Sequence, residues 1–343
     1  MQPGDRVLRV RLRDLSRAVL GRTATALSRG RYLLVRLLLL PALALLPARL
    51  AFGVARWRGR RRFRRIGPEM KTRMRRDVRL VLGPMEEAQI DALLEESAEI
   101  VSCDELDVFF YARFGRRGFS RIVEVEGLEH LEAALKGGRS ALLFSAHFGG
   151  AQGFLGVLAA RGYRLFTIGR SLDRDPWIQR LNLRWRHRFL GRVQNGPILY
   201  AGQGSVPRAL QCLREGRVGY LLLDVAPGKT RRVVEVEFLG RPCRLSYGLI
   251  ELAEAADATI LPFFAFYTAP HLRRAVIGKP VEFVTDPDPL VARKINLRRC
   301  LERIEEAVSL APSHWMLWGH FEGLWSPGAA VAAVPTPQQD HRG

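Results

Sequence analysis

The chain has 343 residues, enough to bury a substantial core, and this length favours one large domain with an appendage. Its net charge of +20 is concentrated near the amino terminus, because residues 1–80 hold 22 Lys/Arg against 4 Asp/Glu while the remainder holds 32 against 30. With a nearly neutral body and no zinc-finger, basic-zipper or RNA-binding signature, we expect no nucleic-acid partner. The four cysteines lie far apart without a CxxC pair, which argues against a zinc site or a disulfide scaffold.

We interpret residues 1–66 as a basic arm and a membrane anchor. Residues 32–54 are dominated by Leu and Ala and are long enough to cross a bilayer, for which about 20 apolar residues suffice. Arg36, Arg49 and two prolines interrupt this segment, so an anchor lying in the membrane plane fits as well as a full span. A cleaved signal peptide fits less well, because the apolar run starts late and a dense cationic cluster follows it.

That cluster places seven arginines between Arg56 and Arg65, with Trp57 and Phe63 among them. Tryptophan is typical of the lipid head-group level, and arginine pairs with lipid phosphates. The positive-inside rule predicts that the cluster stays on the cytoplasmic side of a membrane. We therefore expect an anionic lipid surface as its partner, with a merely solvated basic face as the alternative.

Apolar strands alternate with helices over residues 67–325, which we take as one domain. This alternation predicts an α/β fold with a mixed, mostly parallel central sheet flanked by helices on both faces. Residues 326–343 are rich in Ala, Pro and Gln and are predicted to be a disordered tail. The predicted strands are 123–126, 141–145, 163–168, 198–200, 218–223, 233–239 (as an edge strand), 259–267 and 274–277. The main predicted helices are 69–112 (several), 128–135, 176–189, 207–213, 246–256 and 296–310.

The strand at 141–145 is the one around which the domain is organised. It leads to His147 and then turns on Gly149-Gly150 into a helix, which predicts an imidazole at the carboxyl edge of the sheet, where open α/β sheets bind ligands. Two other predicted strands end at Arg170 and Asp224. If the three strands are parallel neighbours, a base and an anion-binding guanidinium line one crevice. A structural histidine at a loop edge is the alternative reading of His147 alone.

The order of the sequence blocks resembles the lysophospholipid acyltransferase superfamily and, within it, the bacterial lauroyl/myristoyl acyltransferases of lipid A biosynthesis. The resemblance covers roughly residues 30–325. It implies a glycerolipid acyltransferase-like fold. It also implies an enzyme that needs no metal or organic cofactor and that acts at the cytoplasmic face of the bacterial inner membrane. The blocks are Val125-Glu-Gly127, Ser-Ala-His147-Phe-Gly-Gly-Ala-Gln152, Gly169-Arg170-Ser-Leu-Asp173, Leu-Leu-Asp224-Val-Ala-Pro-Gly228, Val236-Glu-Phe238-Leu-Gly240, Thr-Ile-Leu-Pro262 and Pro312-Ser-His-Trp315-Met-Leu-Trp318-Gly-His320.

The resemblance also implies a reaction. A fatty acyl chain would move from acyl carrier protein or coenzyme A to a hydroxyl of a lipid A precursor or another membrane glycolipid. His147 would act as general base, and Arg170 would hold a phosphate or the developing oxyanion. Asp173, Asp224 and Gly228 would line the acceptor side.

One residue departs from the family pattern, which has a His and an acid separated by four residues. This chain has His147 but Gln152 at the acid position. An acid there would orient the imidazole and stabilise its charged form, whereas the Gln152 carbonyl can accept the same hydrogen bond but brings no negative charge. Three interpretations follow: an active transferase oriented by Gln152 or by another acid, Asp173 or Asp224; a non-catalytic relative that binds lipid or acyl carrier protein; or a different lipid-modifying reaction on the same fold.

Overall fold

The structure is a computed structural model. It describes residues 34–119, 122–169, 180, 184, 187, 188, 191, 193–202, 204–227, 230, 232–269 and 271–326. The helices are α1 (Ala48–Arg64), α2 (Pro68–Leu82), α3 (Glu87–Phe119), α4 (Leu128–Leu135), α5 (Ala151–Ala160), α6 (Ser205–Arg214), α7 (Gly248–Ala256) and α8 (Pro289–Leu310). The strands are β1 (Val123–Glu126), β2 (Ser140–Ser145), β3 (Leu165–Gly169), β4 (Ile198–Tyr200), β5 (Val218–Leu222), β6 (Val233–Phe238), β7 (Arg241–Ser246), β8 (Ala258–Ala269) and β9 (Leu272–Ile277).

Seven strands form one mixed sheet in the order β1-β9-β8-β2-β5-β3-β4. The strands from β8 to β4 are parallel to one another, whereas β9 is antiparallel to β8. The antiparallel pair follows from its short connection, since β8 ends at Ala269 and β9 begins at Leu272, too close for a crossover. The predicted mixed, mostly parallel sheet is confirmed.

Helices cover both faces of this sheet. Side chains alternate along β2, so Leu143 faces α4 and α5 while Phe144 faces α6, α7 and α8. Both side chains are fully buried, which is why this strand reads as a continuous apolar run. Helix α3 packs on the outside of α5, and α1 packs on α3.

The prediction of an edge strand at 233–239 is partly wrong. Val233–Phe238 is a strand, but it pairs with Arg241–Ser246 in a separate two-stranded antiparallel hairpin. Leu239 and Gly240 form the turn and both have positive φ, as a tight two-residue hairpin requires. The second strand, Arg-Pro-Cys-Arg-Leu-Ser, carries a proline and two arginines and gives little strand signal.

The described part of the amino-terminal segment is helical. Two short turns, Val35–Leu39 and Leu40–Leu43, precede α1. None of the helices among residues 34–326 that the structure describes combines the length and apolarity of a membrane span. The basic arm up to residue 31 and the predicted tail from 327 onward lie outside the described residues.

The arginine cluster on α1 pairs largely with acidic residues of α3. Contact between the two helices is close at Gly59, where a Cβ would lie 2.5 Å from the Ala98 carbonyl oxygen. Most of the arginine charge therefore faces carboxylates of the same chain, which corrects the expectation that the whole cluster faces lipid. The pairs are Arg56–Glu99, Arg58–Glu105, Arg60–Glu99, Arg62–Glu105 and Arg64–Glu95.

Candidate active site

Strand register places His147 opposite Asp224. In the parallel pair β2–β5, Ser145 is the partner of Leu222. His147 and Asp224 each follow that last pair by two residues, so both leave the sheet at its carboxyl edge. The His147 Nδ1 and the Asp224 Oδ1 are 2.9 Å apart.

The Asp224 carboxylate is the buried centre of this site. Both of its oxygens accept the His147 backbone N–H at 2.9 Å, and Oδ2 also accepts the indole N–H of Trp315 at 3.0 Å. The Asp224 side chain is 0% exposed, whereas that of His147 is 38% exposed. The carboxylate is thus held rigidly by three donors while the imidazole reaches solvent.

This arrangement fixes the chemistry of the imidazole. With its Nδ1 proton directed at Asp224, the ring keeps a lone pair on Nε2, the atom that can accept a proton from a substrate. Burial lowers the pKa of His147, but the Asp224 charge and hydrogen bond, helped by the charge of Asp104, outweigh burial and raise that pKa above 6.5. An imidazole that keeps an accessible lone pair on Nε2 is suited to general-base catalysis.

The turn after His147 is held by the carboxyl-terminal segment. The Gly149 N–H donates to the His314 carbonyl oxygen at 3.0 Å, and the Met316 N–H donates to the His147 carbonyl oxygen at 2.9 Å. Gly150 has φ +92°, a conformation that glycine adopts without strain, and α5 begins at the next residue. His314 is itself buried.

A second polar pair lies at the same edge of the sheet and was missed in the sequence. The Tyr200 hydroxyl at the end of β4 is 2.8 Å from the His187 Nδ1, and Tyr200 is 39% exposed. Burial raises the pKa of Tyr200, while the nearby Arg184 guanidinium opposes part of that shift. No sequence motif predicts this contact, because His187 and Tyr200 belong to different secondary-structure elements.

A largely apolar cavity lies beside the site. It has a volume of about 620 Å³ and is bounded by β8, β9 and the end of α8. Phe264 and Phe266 line it, and their rings contact Phe148 with centroid distances of 5.7 and 5.3 Å. One aromatic ring therefore separates this cavity from the backbone of the His147 turn.

Comparison with known proteins identifies the family. The model of the bacterial lipid A biosynthesis acyltransferases matches residues 23–320. The chain belongs to this family. Its relatives include a lipid A biosynthesis acyltransferase of Haemophilus influenzae, 25% identical over 248 residues that cover 72% of this chain and 74% of the relative.

A second relative acts on a different lipid by name. The phosphatidylinositol mannoside acyltransferase of Mycobacterium tuberculosis is 30% identical over 205 residues, covering 59% of this chain and 62% of the relative. Both relatives are named acyltransferases, and the chain is an acyltransferase of the lipid A biosynthesis family.

The structure of this acyltransferase describes only some of the other candidate site residues predicted from the sequence. Gln152 lies in the first turn of α5, but its side chain is not among those described. Arg170, Asp173 and Gly228 lie outside the described residues. Of the acids considered as substitutes for the one missing at position 152, Asp224 is the one found on the His147 ring. Within the described part of the chain, no group of three or more His, Cys, Asp or Glu is arranged to hold a metal.

Proposed function

We propose that the protein transfers a fatty acyl group from a thioester, carried by acyl carrier protein or coenzyme A, to a hydroxyl of a lipid A precursor or another glycolipid, with His147 as general base. The observation that carries this proposal is the 2.9 Å contact between the partly exposed His147 and the buried Asp224 at the carboxyl edge of the sheet. Family membership supports the reaction class, and the names of the relatives support a glycolipid acceptor.

The proposed step balances as follows. The His147 Nε2 takes the proton of the acceptor hydroxyl, and the acceptor oxygen attacks the thioester carbonyl carbon. The tetrahedral intermediate then expels the thiolate, which takes the proton back from the imidazolium and leaves as a thiol. Asp224 stabilises the imidazolium throughout, as the buried aspartate does in a serine protease triad. We assign the acceptor phosphate or the oxyanion to Arg170, with Asp173 and Gly228 on the acceptor side.

The acid partner distinguishes an active enzyme from a non-catalytic relative. Gln152 was the reason to consider an inactive protein, because it removes the charge that orients the base. Asp224, which follows the neighbouring strand β5, supplies a carboxylate to the His147 Nδ1, the nitrogen that an acid at position 152 would be expected to meet. We therefore favour the active transferase over the lipid-binding or carrier-binding relative.

We place the acceptor head group along the sheet edge between His147 and Tyr200. The strands that carry them are separated by β5 and β3, so the two sites are roughly 14 Å apart at the usual spacing between strands. A head group of two or more sugar rings can span that distance. The Tyr200 hydroxyl, bonded to the His187 ring, offers a polar contact for a sugar hydroxyl at this end, and the nearby Arg184 guanidinium can pair with a phosphate.

We infer that the outer face of α1 docks on the membrane surface. Leu50, Val54 and Trp57 follow one another at helical spacing and are 60%, 37% and 55% exposed, while Ala51, Phe52 and Ala55 on the opposite face are buried. Arg61 continues the exposed stripe, with its guanidinium 5.5 Å from the Trp57 ring centroid. An apolar stripe ending in Trp and Arg is typical of helices that lie in the plane of an anionic lipid surface. The cytoplasmic face of the inner membrane is the surface we assign.

The direct test uses the purified full chain on vesicles containing anionic lipid. Acyl carrier protein or coenzyme A thioesters are offered with a lipid A precursor or a phosphatidylinositol mannoside, and products are identified by mass spectrometry. We expect one acceptor to gain one acyl chain, with release of one thiol per ester formed. Suppose that the wild-type protein acylates no offered glycolipid from either donor, although the pKa of His147 is raised by Asp224 as expected. That result would support the interpretation as a non-catalytic relative.

A further inference from the structure

A buried ion pair lies directly behind the His147 turn. Arg273 of β9 and Asp107 of α3 both have side chains that are 0% exposed, and the guanidinium contacts the carboxylate through Nη2 and through Nε, the latter at 3.2 Å. The Tyr267 hydroxyl donates to the same carboxylate at 2.9 Å. Burial raises the pKa of Asp107 to about 6, although Arg273 opposes that shift. Burying such charges is expensive, and a buried pair is weak evidence for a role in stability.

The pair is enclosed by aromatic rings from two sides. The guanidinium carbon of Arg273 lies 3.4 Å from the ring centroid of Tyr267 and 5.1 Å from that of Phe52 on α1. A planar guanidinium held between rings and bidentate on a carboxylate has little freedom to move. Arg273 is therefore a rigid support in the core.

The turn after His147 rests on this support. A Cβ at Gly150 would lie 3.0 Å from the Arg273 Cδ, and one at Gly149 would lie 3.3 Å from the Tyr267 ring. The Tyr267 N–H also donates to the His314 Nε2 at 2.9 Å, and the His314 carbonyl oxygen accepts the Gly149 N–H. The glycines are thus clamped between Arg273 and Tyr267 on one side and His314 on the other.

We propose that Arg273, fixed by Asp107 and Tyr267, is a positioning residue that holds the His147 turn so that the imidazole meets Asp224. We give Arg273 no part in the proposed proton transfer; it acts through the backbone at Gly150, where a Cβ would lie 3.0 Å from its Cδ. The catalytic part of this inference rests on the proposed acyl transfer; the positioning of the ring does not.

The pKa of His147 is a readout that a merely structural role would not move. The charged groups that act on this imidazole are Asp224 from the end of β5 and Asp104 from α3; the Arg273 and Asp107 charges are not among its causes. Removing the pair changes the pKa of His147 only if the ring moves relative to Asp224. Because Asp224 raises that pKa, a loosened ring titrates lower, towards the ordinary value of 6.5.

The experiment compares Asp107→Leu/Arg273→Met with the wild type. Apolar replacement of a buried pair is often neutral or stabilising, so we expect the variant to fold with an unchanged or higher melting temperature. We expect the pKa of His147, followed by carbon-13 NMR of its ring, to fall by at least half a unit, and kcat to fall at least tenfold with both KM values within twofold. Arg293→Met/Glu254→Leu, which removes an ion pair between α8 and α7, should change neither quantity.

A folded double variant with an unchanged His147 pKa and unchanged kcat would show that the pair only stabilises the core. If the double variant does not fold, Arg273→Lys decides the question, because it keeps the charge but loses the planar fork and its stacking. It should show the same fall in the pKa of His147, and an unchanged pKa there overturns the proposal. The NMR titration requires no substrate, so its outcome is independent of whether acyl transfer is found.

Discussion

The imidazole of His147 and the carboxylate of Asp224 are 77 residues apart in the chain and 2.9 Å apart in the fold. They meet because β2 and β5 are parallel neighbours in register from Leu142 to Ser145, and both side chains stand two residues beyond the last pair. Trp315 adds an indole donor to the same carboxylate from the carboxyl-terminal segment. Two distant parts of the chain, at His147 and at Trp315, therefore donate to the one buried carboxylate of Asp224. The orientation of the proposed base depends on this arrangement.

Asp224→Asn should separate orientation from fold. The amide is close in size and keeps an acceptor oxygen, but it removes the negative charge and can present its NH₂ to the ring. We expect kcat to fall by at least about 100-fold, towards the roughly 10⁴-fold loss of the equivalent change in a serine protease. His147→Ala should lose the general-base contribution of about 10² to 10⁴. Steady-state transfer assays check both, with circular dichroism as the control for folding. An Asp224→Asn enzyme with full activity would remove Asp224 from the mechanism.

Gln152→Glu tests whether the acid position of the family is still needed. Because Asp224 already occupies the Nδ1 side of the ring, we expect the added carboxylate to leave kcat the same or to raise it by less than about threefold. Gln152→Ala is the matched control for loss of the amide. A tenfold or larger gain from Gln152→Glu would mean that the charge at position 152 is the missing partner and that the wild type is a weakened relative.

The pH dependence follows from the direction of the His147 shift. Since its pKa is raised above 6.5 and the base must be neutral, kcat/KM should rise with pH through an acid limb centred above pH 6.5. The same shift means that the charged dyad adds stability below pH 6.5, and that this contribution is lost as pH rises through the folded pKa. His314, whose pKa is lowered to about 4 mainly by burial, titrates well below this limb.

Asp224→Asn should move that limb to lower pH while it lowers the plateau. Measurement of kcat/KM from pH 5 to 9 for the two proteins compares the limbs directly. A limb at the same pH in both proteins would contradict the assignment of Asp224 as the cause of the raised pKa.

Tyr200→Phe tests the acceptor end of the site. Loss of one hydrogen bond of ordinary strength predicts a rise of about three- to tenfold in the KM of the acceptor, with the KM of the thioester unchanged. Tyr163→Phe is the matched control, because Tyr163 precedes β3 at the opposite end of the sheet. Equal acceptor KM values in wild type and Tyr200→Phe would remove the His187–Tyr200 pair from the acceptor site.

The central strands could be predicted, and so could the position of His147 at the carboxyl edge of the sheet. Their sequence signals are local, since each is an apolar run that stops at glycine or at a polar residue. The acid partner of His147 could only be narrowed to Asp173 or Asp224, because strand order decides which strand ends become neighbours and no local sequence pattern encodes that order. The hairpin strand Arg241–Ser246 was missed because Pro242 and its arginines mask the alternation. The ion pairs of the α1 arginines could not be predicted either, because their partners are distant in the chain. Glu99 is 39 residues after Arg60, and Glu105 is 47 residues after Arg58.

Leu50→Glu on the outer face of α1 should weaken membrane binding without unfolding the protein. Leu50 is 60% exposed, so a charge there costs little in water, but it would carry an ionised carboxylate into the apolar boundary of the bilayer and next to anionic head groups. We expect at least a tenfold loss of binding to vesicles containing anionic lipid, measured by co-sedimentation, with an unchanged melting temperature. Leu310→Glu is the matched control, since Leu310 is 82% exposed at the end of α8, outside the stripe. Equal vesicle binding by the two glutamate variants would show that another part of the chain, outside the face of Leu50, Val54 and Trp57, contacts the membrane.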